Sequence, residues 1–256
     1  MTLARRPKSF RWAVCMGIAG VTIICARQLG LSSGDLNDAF SNAGSYLRRF
    51  FPPDFTTLHY YSKFILETLA MAFWGTTVAF GLAALSTLMG ARRFAIWPTG
   101  NIGMRGIMTF ARVLPDLVLA IVFVSAFGPG PLAGLLTIIV GSFGALSKMW
   151  NEALERVDPR RIEGVVAAGG HGFQLLRFCG WPSISREVWG FTLFAFDRAL
   201  REAAIIGIVG AGGIGMELSL SLRLFDYTRA SVVILMIVGL ILLGDMLSSG
   251  IRSRLN

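Results

Sequence analysis

Charged side chains are scarce in this chain. Asp, Glu, Lys and Arg make up 15% of its 256 residues, whereas soluble globular domains carry roughly 25%. Hydrophobic residues account for 54% of the sequence, and the mean hydropathy is +0.63. This composition excludes an ordinary soluble domain and predicts an all-α, polytopic membrane protein.

Residue types that carry chemistry are also few. The chain has three cysteines, at positions 15, 25 and 179, and two histidines, at positions 59 and 171. Their spacing fits neither a disulfide framework nor a metal site. None of the three lysines follows a glycine, so the sequence lacks the Gly-Lys pair of a P-loop. We therefore expect a non-catalytic chain that binds no cofactor of its own.

The formal net charge of +9 raises the question of nucleic-acid binding. The basic residues cluster at the ends of apolar runs, and no folded domain is left to present a basic face. Anionic lipid at the inner leaflet accounts for such a distribution. The predicted partner is therefore the lipid bilayer and not nucleic acid.

Several apolar runs have about the 20 residues that are needed to cross a bilayer. The six predicted spans are residues 12–31, 64–90, 106–127, 132–150, 188–209 and 230–249. The first run could be a signal peptide, but no convincing cleavage site follows it, which favours an uncleaved span. Most basic residues fall on one side if both termini are cytoplasmic, so we expect an N-in, C-in orientation.

Residues 32–61, between the first two spans, are predicted to be a polar outer segment. Phe40, Tyr46 and Leu47 are spaced for an amphipathic helix that lies on the outer surface and ends at Pro52. Two interpretations remain open for this helix. It is either an interfacial lid without specificity or part of a docking surface for a periplasmic binding protein.

The third and fourth spans carry signs of how they pack. Arg112 and Asp116 lie four residues apart, which allows them to pair on one helix face, and Pro115 between them predicts a kink. A short outer turn at residues 128–131 makes the two spans antiparallel neighbours. Small residues in the fourth span favour close helix packing within one subunit over contact across a subunit interface.

The fifth span contains the strongest polar signal, Asp197, Arg198, Arg201 and Glu202. One ionised side chain at the centre of a bilayer costs about 2.5–3.5 kcal/mol on insertion scales, so four imply pairing or a wet cavity. The spacing pairs Asp197 with Arg201 and Arg198 with Glu202. A self-neutralised structural cluster and a translocation path whose arginines bind an oxyanion both remain open.

Glycines crowd residues 210–215, where the sequence formally matches the dinucleotide fingerprint. We reject that interpretation because the motif follows a membrane helix and no acidic residue stands about 20 positions later. A broken helix near the outer side fits better. Gly212 and Gly213 would turn the chain there and expose backbone N–H groups to a pore.

A polar, glycine-broken segment, residues 158–182, separates the fourth and fifth spans. Asp158 and Pro159 supply the N-cap and first residue of a helix. One face of this helix is predicted to comprise Ile162, Val165, Val166 and Gly169. Glycines then break the helix, a second short turn begins at Phe173, and Pro182 ends the segment. Its apolar face predicts a protein partner outside the bilayer.

Glu163, Gly169 six residues later and Pro182 thirteen further on resemble the cytoplasmic coupling motif of ABC-importer permeases. Gly164 and Val165 replace the two alanines of that motif. Four other stretches strengthen the likeness, namely FPPDF at 51–55, GPGPLAG at 128–134, LSK at 146–148 and VGAGGIG at 209–215. Beyond its first thirty or so residues, the chain resembles the permease subunit of phosphonate-type ABC importers.

This resemblance implies a type I ABC-importer permease with six transmembrane helices and a cytoplasmic coupling helix. A single transmembrane domain would span residues 1–256, with a permease core at 62–252. The resemblance also implies a homodimer in the bacterial inner membrane, two copies of a separate ATPase subunit that binds ATP and Mg, and a periplasmic binding protein.

The solute that the resemblance implies is phosphonate or a related phosphorus oxyanion, such as phosphite, hypophosphite or a phosphate ester. Methionine or another small solute is the alternative for a permease of this type. A second alternative is an ion-coupled secondary transporter, which would use the membrane carboxylates of Asp116, Asp197 and Glu202.

Residue roles follow from the same resemblance. Contact with the ATPase is assigned to Glu163, Val166, Gly169, Gly170, Phe173 and Pro182. The translocation path is assigned to Asp197, Arg198, Arg201, Glu202, Gly212 and Gly213. Arg201 is the first choice for contact with an anion.

Overall fold

The structure is a computed structural model that describes residues 33–91, 94 and 101–255, with isolated positions between 12 and 28. The predicted first span, residues 12–31, otherwise lies outside the described residues. The chain divides into two compact units, Met1–Pro52 and Pro53–Asn256. In the first unit, helix α1 (Ser33–Arg48) confirms the helix predicted for the outer segment.

The second unit is a bundle of helices, as predicted. Its α-helices are α2 (Leu58–Gly90), α3 (Asn101–Val113), α4 (Asp116–Phe127), α5 (Pro131–Glu155), α6 (Pro159–Ala167), α7 (Trp181–Gly207), α8 (Gly213–Arg223) and α9 (Tyr227–Leu255). A 3-10 turn, Phe55–Thr57, precedes α2. A short α-turn, Phe173–Leu175, and a π-helical turn, Leu176–Gly180, lead into α7.

Helix α2 begins before the predicted span start at residue 64. The Asp54 carboxylate accepts a hydrogen bond from the Thr56 backbone N–H at 3.1 Å and caps the 3-10 turn. The Thr56 hydroxyl also donates to this carboxylate, at 2.6 Å, and this hydrogen bond, together with the one from the backbone, lowers the pKa of Asp54. Because this cap lies in the loop before residue 58, helical structure starts there and extends through the aromatic residues that follow.

Among the described residues, three helices are long and apolar enough to cross a bilayer. They are Phe55–Gly90, Pro131–Glu155 and Tyr227–Ser253. The pair Ile102–Val113 and Asp116–Phe127 counts as a fourth only if it is one span, and it is bent by 92°. Helix α7 has 27 residues, but its charged side chains make it a less apolar helix than these.

The kink predicted at Pro115 is confirmed, and it is a near right-angle break. The proline ring disfavours the helical conformation for the residue before it, and proline itself has no N–H to donate. The predicted pair of Arg112 with Asp116 is wrong, because four-residue spacing brings side chains together only on a continuous helix. Asp116 pairs instead with Arg198 of α7.

Small residues of α5 mark the places where other helices approach most closely. A Cβ at Gly141 would meet the Asp116 carboxylate at 2.5 Å, and one at Gly144 would meet the Arg112 backbone N at 2.7 Å. The Ser147 hydroxyl lies 2.9 Å from that of Ser86 on α2. These contacts confirm packing within one subunit. Since Asp116 begins α4 and faces Gly141, they also confirm that α4 and α5 are antiparallel neighbours.

The end of α7 and the start of α8 cross at two glycines. A Cβ at Gly207 would lie 2.7 Å from the Gly215 Cα, and a Cβ at Gly215 would collide with the Ala204 carbonyl oxygen. The two backbones can approach this closely only because neither position has a side chain.

Gly215→Ala is therefore expected to destabilise the protein by about 1–3 kcal/mol, since an extra methyl group in a packed crossing forces the backbones apart. The measurement is the thermal unfolding midpoint of the purified protein in detergent. The matched control is Gly239→Ala on α9, where a Cβ meets nothing within 4 Å and helix propensity favours alanine by up to about 1 kcal/mol. Equal thermal unfolding midpoints for the two variants would contradict the close packing of α7 against α8 at Gly215.

Candidate functional site

Both charge pairs predicted for the fifth span are present on α7. The Arg201 guanidinium donates to the Asp197 carboxylate at 2.6 Å, and the Arg198 guanidinium donates to Glu202. Arg198 also donates to Asp116 of α4 at 2.8 Å, a contact that the sequence analysis missed. The cluster therefore joins two helices and combines two guanidinium groups with three carboxyl groups.

The two arginines of this cluster differ in how much of their hydrogen-bonding capacity is used. Arg198 forms ion pairs with both Asp116 and Glu202, which neutralise its charge within the cluster. Among the described residues Arg201 forms one ion pair, with Asp197, and 42% of its side chain is exposed, against 5% for Asp197. A guanidinium presents five N–H donors, so the arrangement leaves Arg201 with more donors available to an anion than Arg198.

The glycine-rich stretch after α7 turns the chain sharply, as predicted. The φ values of Gly210, Gly212 and Gly213 are +96°, +82° and +66°. Residues with a side chain rarely adopt such values, whereas glycine does so readily. Helix α8 begins at Gly213 and runs back along the end of α7. The broken helix is therefore confirmed.

The predicted exposure of the Gly213 N–H to a pore is wrong for this conformation. The Gly213 N–H donates to the Glu67 carboxylate at 2.7 Å, and the Ile214 N–H donates to the Thr68 hydroxyl at 2.9 Å. These two α2 side chains cap the N-terminus of α8, where free N–H groups and the helix dipole favour negative charge. The only sequence signal for this contact was an acidic residue, Glu67, in an apolar span.

The segment between α5 and α7 begins as the sequence predicts. The Asp158 carboxylate accepts from the Arg160 backbone N–H at 3.0 Å, and Pro159 follows as the first helical residue of α6. Gly169 and Gly172 have φ values of +84° and +55°, and they separate α6 from the turn at Phe173. The cap, the helix and the glycine break are confirmed.

The predicted apolar face is present, with Ile162 and Val165 packed against the core and Val166 54% exposed. One detail of the predicted segment is wrong. Pro182 does not end the segment, because helical structure continues from Phe173 to the end of α7. The π-helical turn that directly precedes this proline already departs from the regular hydrogen-bond ladder, which accommodates a residue without an N–H.

The solvent-facing side of the segment between α5 and α7 carries exposed aromatic side chains, an acidic residue and a glycine. Phe173 is 54% exposed and Phe178 is 65% exposed, and Glu163 and Gly169 lie on the surface. Cys179, in contrast, is buried, and burial raises the pKa of its thiol. The coupling residues assigned from the sequence therefore lie within one segment, as an accessible patch at the end of α2 and α5.

Paired charges on helices that are otherwise apolar mark a candidate functional site in a membrane protein. The comparison with protein families agrees. The chain belongs to the family described as "Binding-protein-dependent transport system inner membrane component", which it matches over residues 83–256. It is thus an inner membrane component of a transporter.

Curated relatives carry related names. The chain is 29% identical to the phosphite transport system permease protein PtxC of Stutzerimonas stutzeri, over 93% of this chain and 86% of that protein. It is 31% identical to the putative phosphite transport system permease protein HtxC of the same organism, over 81% and 74%. It is 33% identical to the phosphate-import permease protein PhnE of Mycolicibacterium smegmatis over 74% of this chain, which spans 36% of that longer protein.

Solved structures share the fold at lower identity. One is the methionine ABC transporter MetNI in inward facing conformations, with a TM-score of 0.66 and 20% identity over 79% of this chain and 99% of the solved chain. Another is an amino acid ABC transporter with histidines, with a TM-score of 0.63 and 17% identity over 78% and 98%. These likenesses show that the fold is that of ABC transporter permeases.

Arg198→Met should destabilise the protein, because Asp116 and Glu202 then lose their shared cation. We expect about 1–3 kcal/mol, below the roughly 3–5 kcal/mol of a fully buried pair, since 36% of the Arg198 side chain is exposed. The thermal unfolding midpoint in detergent measures the effect. Adding Asp116→Asn and Glu202→Gln to the same chain should restore most of the lost stability. An unfolding midpoint that stays low would show that charge neutralisation is not the way in which Arg198 stabilises the protein.

Proposed function

We propose that this chain is the permease subunit of an ATP-driven importer for a phosphorus oxyanion, such as phosphonate, phosphite, hypophosphite or a phosphate ester. The observation that carries the proposal is the likeness to the phosphite permease of Stutzerimonas stutzeri, which extends over 93% of this chain and 86% of the relative. A likeness of that extent covers the bundle, the charged cluster and the coupling segment together.

The energy for transport comes from a separate ATPase subunit that binds ATP and Mg. Two copies of this chain pair as a homodimer, and each places its coupling segment, residues 158–182, in a groove of one ATPase. A periplasmic binding protein delivers the solute on the opposite side. In this proposal each chain has six spans and is N-in and C-in, so that Arg156 at the end of α5 and Arg160 and Arg161 at the start of α6 face the cytoplasm.

Contact with the ATPase is made by the accessible patch of the coupling segment. Phe173 and Val166 supply apolar area, and Glu163 supplies a charge at the joint. Gly169 and Gly170 give the bend, which the positive φ of Gly169 supports. Pro182 belongs to this assignment as the start of the helix that carries movement into the membrane.

Solute passage runs beside the charged cluster. Arg201 offers the exposed guanidinium to the oxyanion by forked hydrogen bonds, while Asp197 and Glu202 keep the anion from being trapped. Arg198 holds α4 against α7 beside this path. Gly212 and Gly213 line it on the outer side, and the Gly213 N–H becomes available only where α8 separates from Glu67.

The ATPase activity of the reconstituted complex, with its binding protein and a series of anions, tests the substrate class. We expect phosphonate or phosphite to raise ATP turnover several-fold and to be taken up into vesicles, with methionine and inorganic phosphate giving less. Stimulation by methionine alone would replace the oxyanion assignment. Uptake that requires only a proton or sodium gradient would overturn the ATP-driven mechanism.

Arg201→Gln in the same assay separates a solute contact from a structural role. We expect uptake to fall by about tenfold, the loss of a charge-assisted hydrogen bond, with the complex still assembled. Arg201→Lys keeps the charge without the planar fork and should be intermediate. Loss of assembly in both variants would assign Arg201 to the structure of the cluster instead.

Gly169→Asp is expected to uncouple the permease from its ATPase. A Cβ at this position meets nothing within 4 Å inside the chain, but the φ of +84° strains any L-residue, and the new charge would face the partner. We expect about tenfold less co-purified ATPase. Gly103→Asp in α3 is the matched control, since a Cβ there also meets nothing within 4 Å and this exposed residue lies outside the coupling segment. Equal recovery of ATPase from both variants would remove the coupling role of Gly169.

A further inference from the structure

A cavity of about 300 Å³ lies between the coupling segment and the ends of two membrane helices. The last turns of α2 and α5 form one wall, and the turns before α7 form the other. Its lining is almost entirely apolar and includes Ala84, Thr87, Trp150, Phe173, Arg177 and Trp181. A ligand in this cavity would touch the segment and the bundle at the same time.

Two residues that line this cavity carry a buried polar atom without a hydrogen-bond partner among the residues that the structure describes. Trp150 is 1% exposed and Thr87 is 6% exposed, yet neither the Trp150 Nε1–H nor the Thr87 hydroxyl is paired. An indole N–H can only donate, and buried polar groups in proteins are nearly always satisfied. Both residues line the cavity, so a group with acceptor atoms that entered it would lie beside both side chains.

Arg177 adds a cation at the rim of the cavity. Its side chain is exposed, and it takes part in none of the ion pairs formed among the described residues. The cavity thus combines donors and a positive charge with an apolar interior. The complementary ligand has an anionic, acceptor-rich head and an apolar body.

The position of the cavity indicates where such a ligand comes from. Thr87 is near the end of the span that finishes at Gly90, and Trp150 is near the end of the span that finishes at Glu155. The cavity is therefore level with one membrane surface. Trp181 is 43% exposed, and tryptophan is one of the two aromatic residues enriched at that depth.

We propose that this cavity binds an anionic phospholipid, with part of one acyl chain in the apolar interior and its ester and phosphate oxygens on Thr87, Trp150 and Arg177. The lipid fastens the coupling segment to the ends of α2 and α5. Anionic lipid is favoured over zwitterionic lipid because no acidic side chain in the described part of the chain pairs with Arg177 to neutralise it. The inference does not depend on which solute the permease carries.

Lipid retention tests the proposal directly. The purified complex of this chain with its ATPase is equilibrated in nanodiscs that contain equal amounts of phosphatidylglycerol and phosphatidylcholine, transferred to detergent, and analysed by native mass spectrometry. We expect phosphatidylglycerol to be retained at about one per permease chain and phosphatidylcholine to be largely lost. Equal retention of the two lipids would overturn the assignment.

Variants locate the bound lipid. Arg177→Gln should reduce retention of phosphatidylglycerol about tenfold, as expected for a lost charge-assisted hydrogen bond. The matched control is Arg186→Gln, an exposed arginine further along α7 that does not line the cavity and should leave retention unchanged. Equal losses from the two variants would show a diffuse effect of surface charge and would overturn the site.

Two further variants address the interior. Thr87→Val removes the unpaired hydroxyl at nearly constant shape, and it should lower lipid retention without lowering the melting temperature of the delipidated complex. Ala84→Phe should fill the cavity and displace the lipid. If Ala84→Phe instead lowers co-purification of the ATPase and leaves lipid retention intact, a protein side chain occupies the cavity and the proposal is wrong. In a second set of nanodiscs that also contain oleate, retention of oleate in place of phosphatidylglycerol would likewise overturn the phospholipid assignment.

Discussion

The ion pair between Asp116 and Arg198 is the contact on which the rest of the bundle depends. Asp116 can reach α7 only because Pro115 ends α3 and turns the chain by 92°, and its carboxylate fits against α5 only because Gly141 has no side chain. The bend, the small residues of α5 and the charges of α7 are therefore parts of one arrangement. An unpaired Asp116 or Arg198 would be unfavourable in an apolar environment, and the ion pair between them removes that cost. The bend and the small residues of α5 are what allow the pair to form.

Local patterns in the sequence predicted the parts of this arrangement that depend on neighbouring residues along the chain. The two pairs within α7 follow from four-residue spacing, and the start of α6 follows from Asp158 and Pro159. Patterns of this kind cannot identify the contacts that need the tertiary fold, such as Arg198 with Asp116 or Gly213 with Glu67. Four-residue spacing failed for Arg112 and Asp116 because the helix that it presupposes does not continue through Pro115.

The cap that Glu67 provides changes how the glycine turn is understood. A sequence rich in glycine before a helix suggests free N–H groups for an anion, but an anionic side chain of α2 already occupies that helix end. The contact closes α8 onto α2, so the amides at residues 213 and 214 stabilise the bundle in this conformation. In the importer proposed above, an oxyanion would therefore meet the guanidinium of Arg201 first, and would meet the amide of Gly213 only after α8 moves away from Glu67.

Movement at the coupling segment has a direct route to the charged cluster. Helical structure runs without a glycine break from Phe173 to Gly207, and α7 alone is about 40 Å long at 1.5 Å per residue. Displacement of the segment by an ATPase would thus be carried by one rod to Asp197 and its neighbours. The π-helical turn interrupts the regular hydrogen bonding of this helix beside the cavity that Trp150 lines. A lipid bound in that cavity would stiffen the helical segment at this irregular turn. Occupancy of that cavity would then set how much of the ATPase movement reaches the charges inside the membrane.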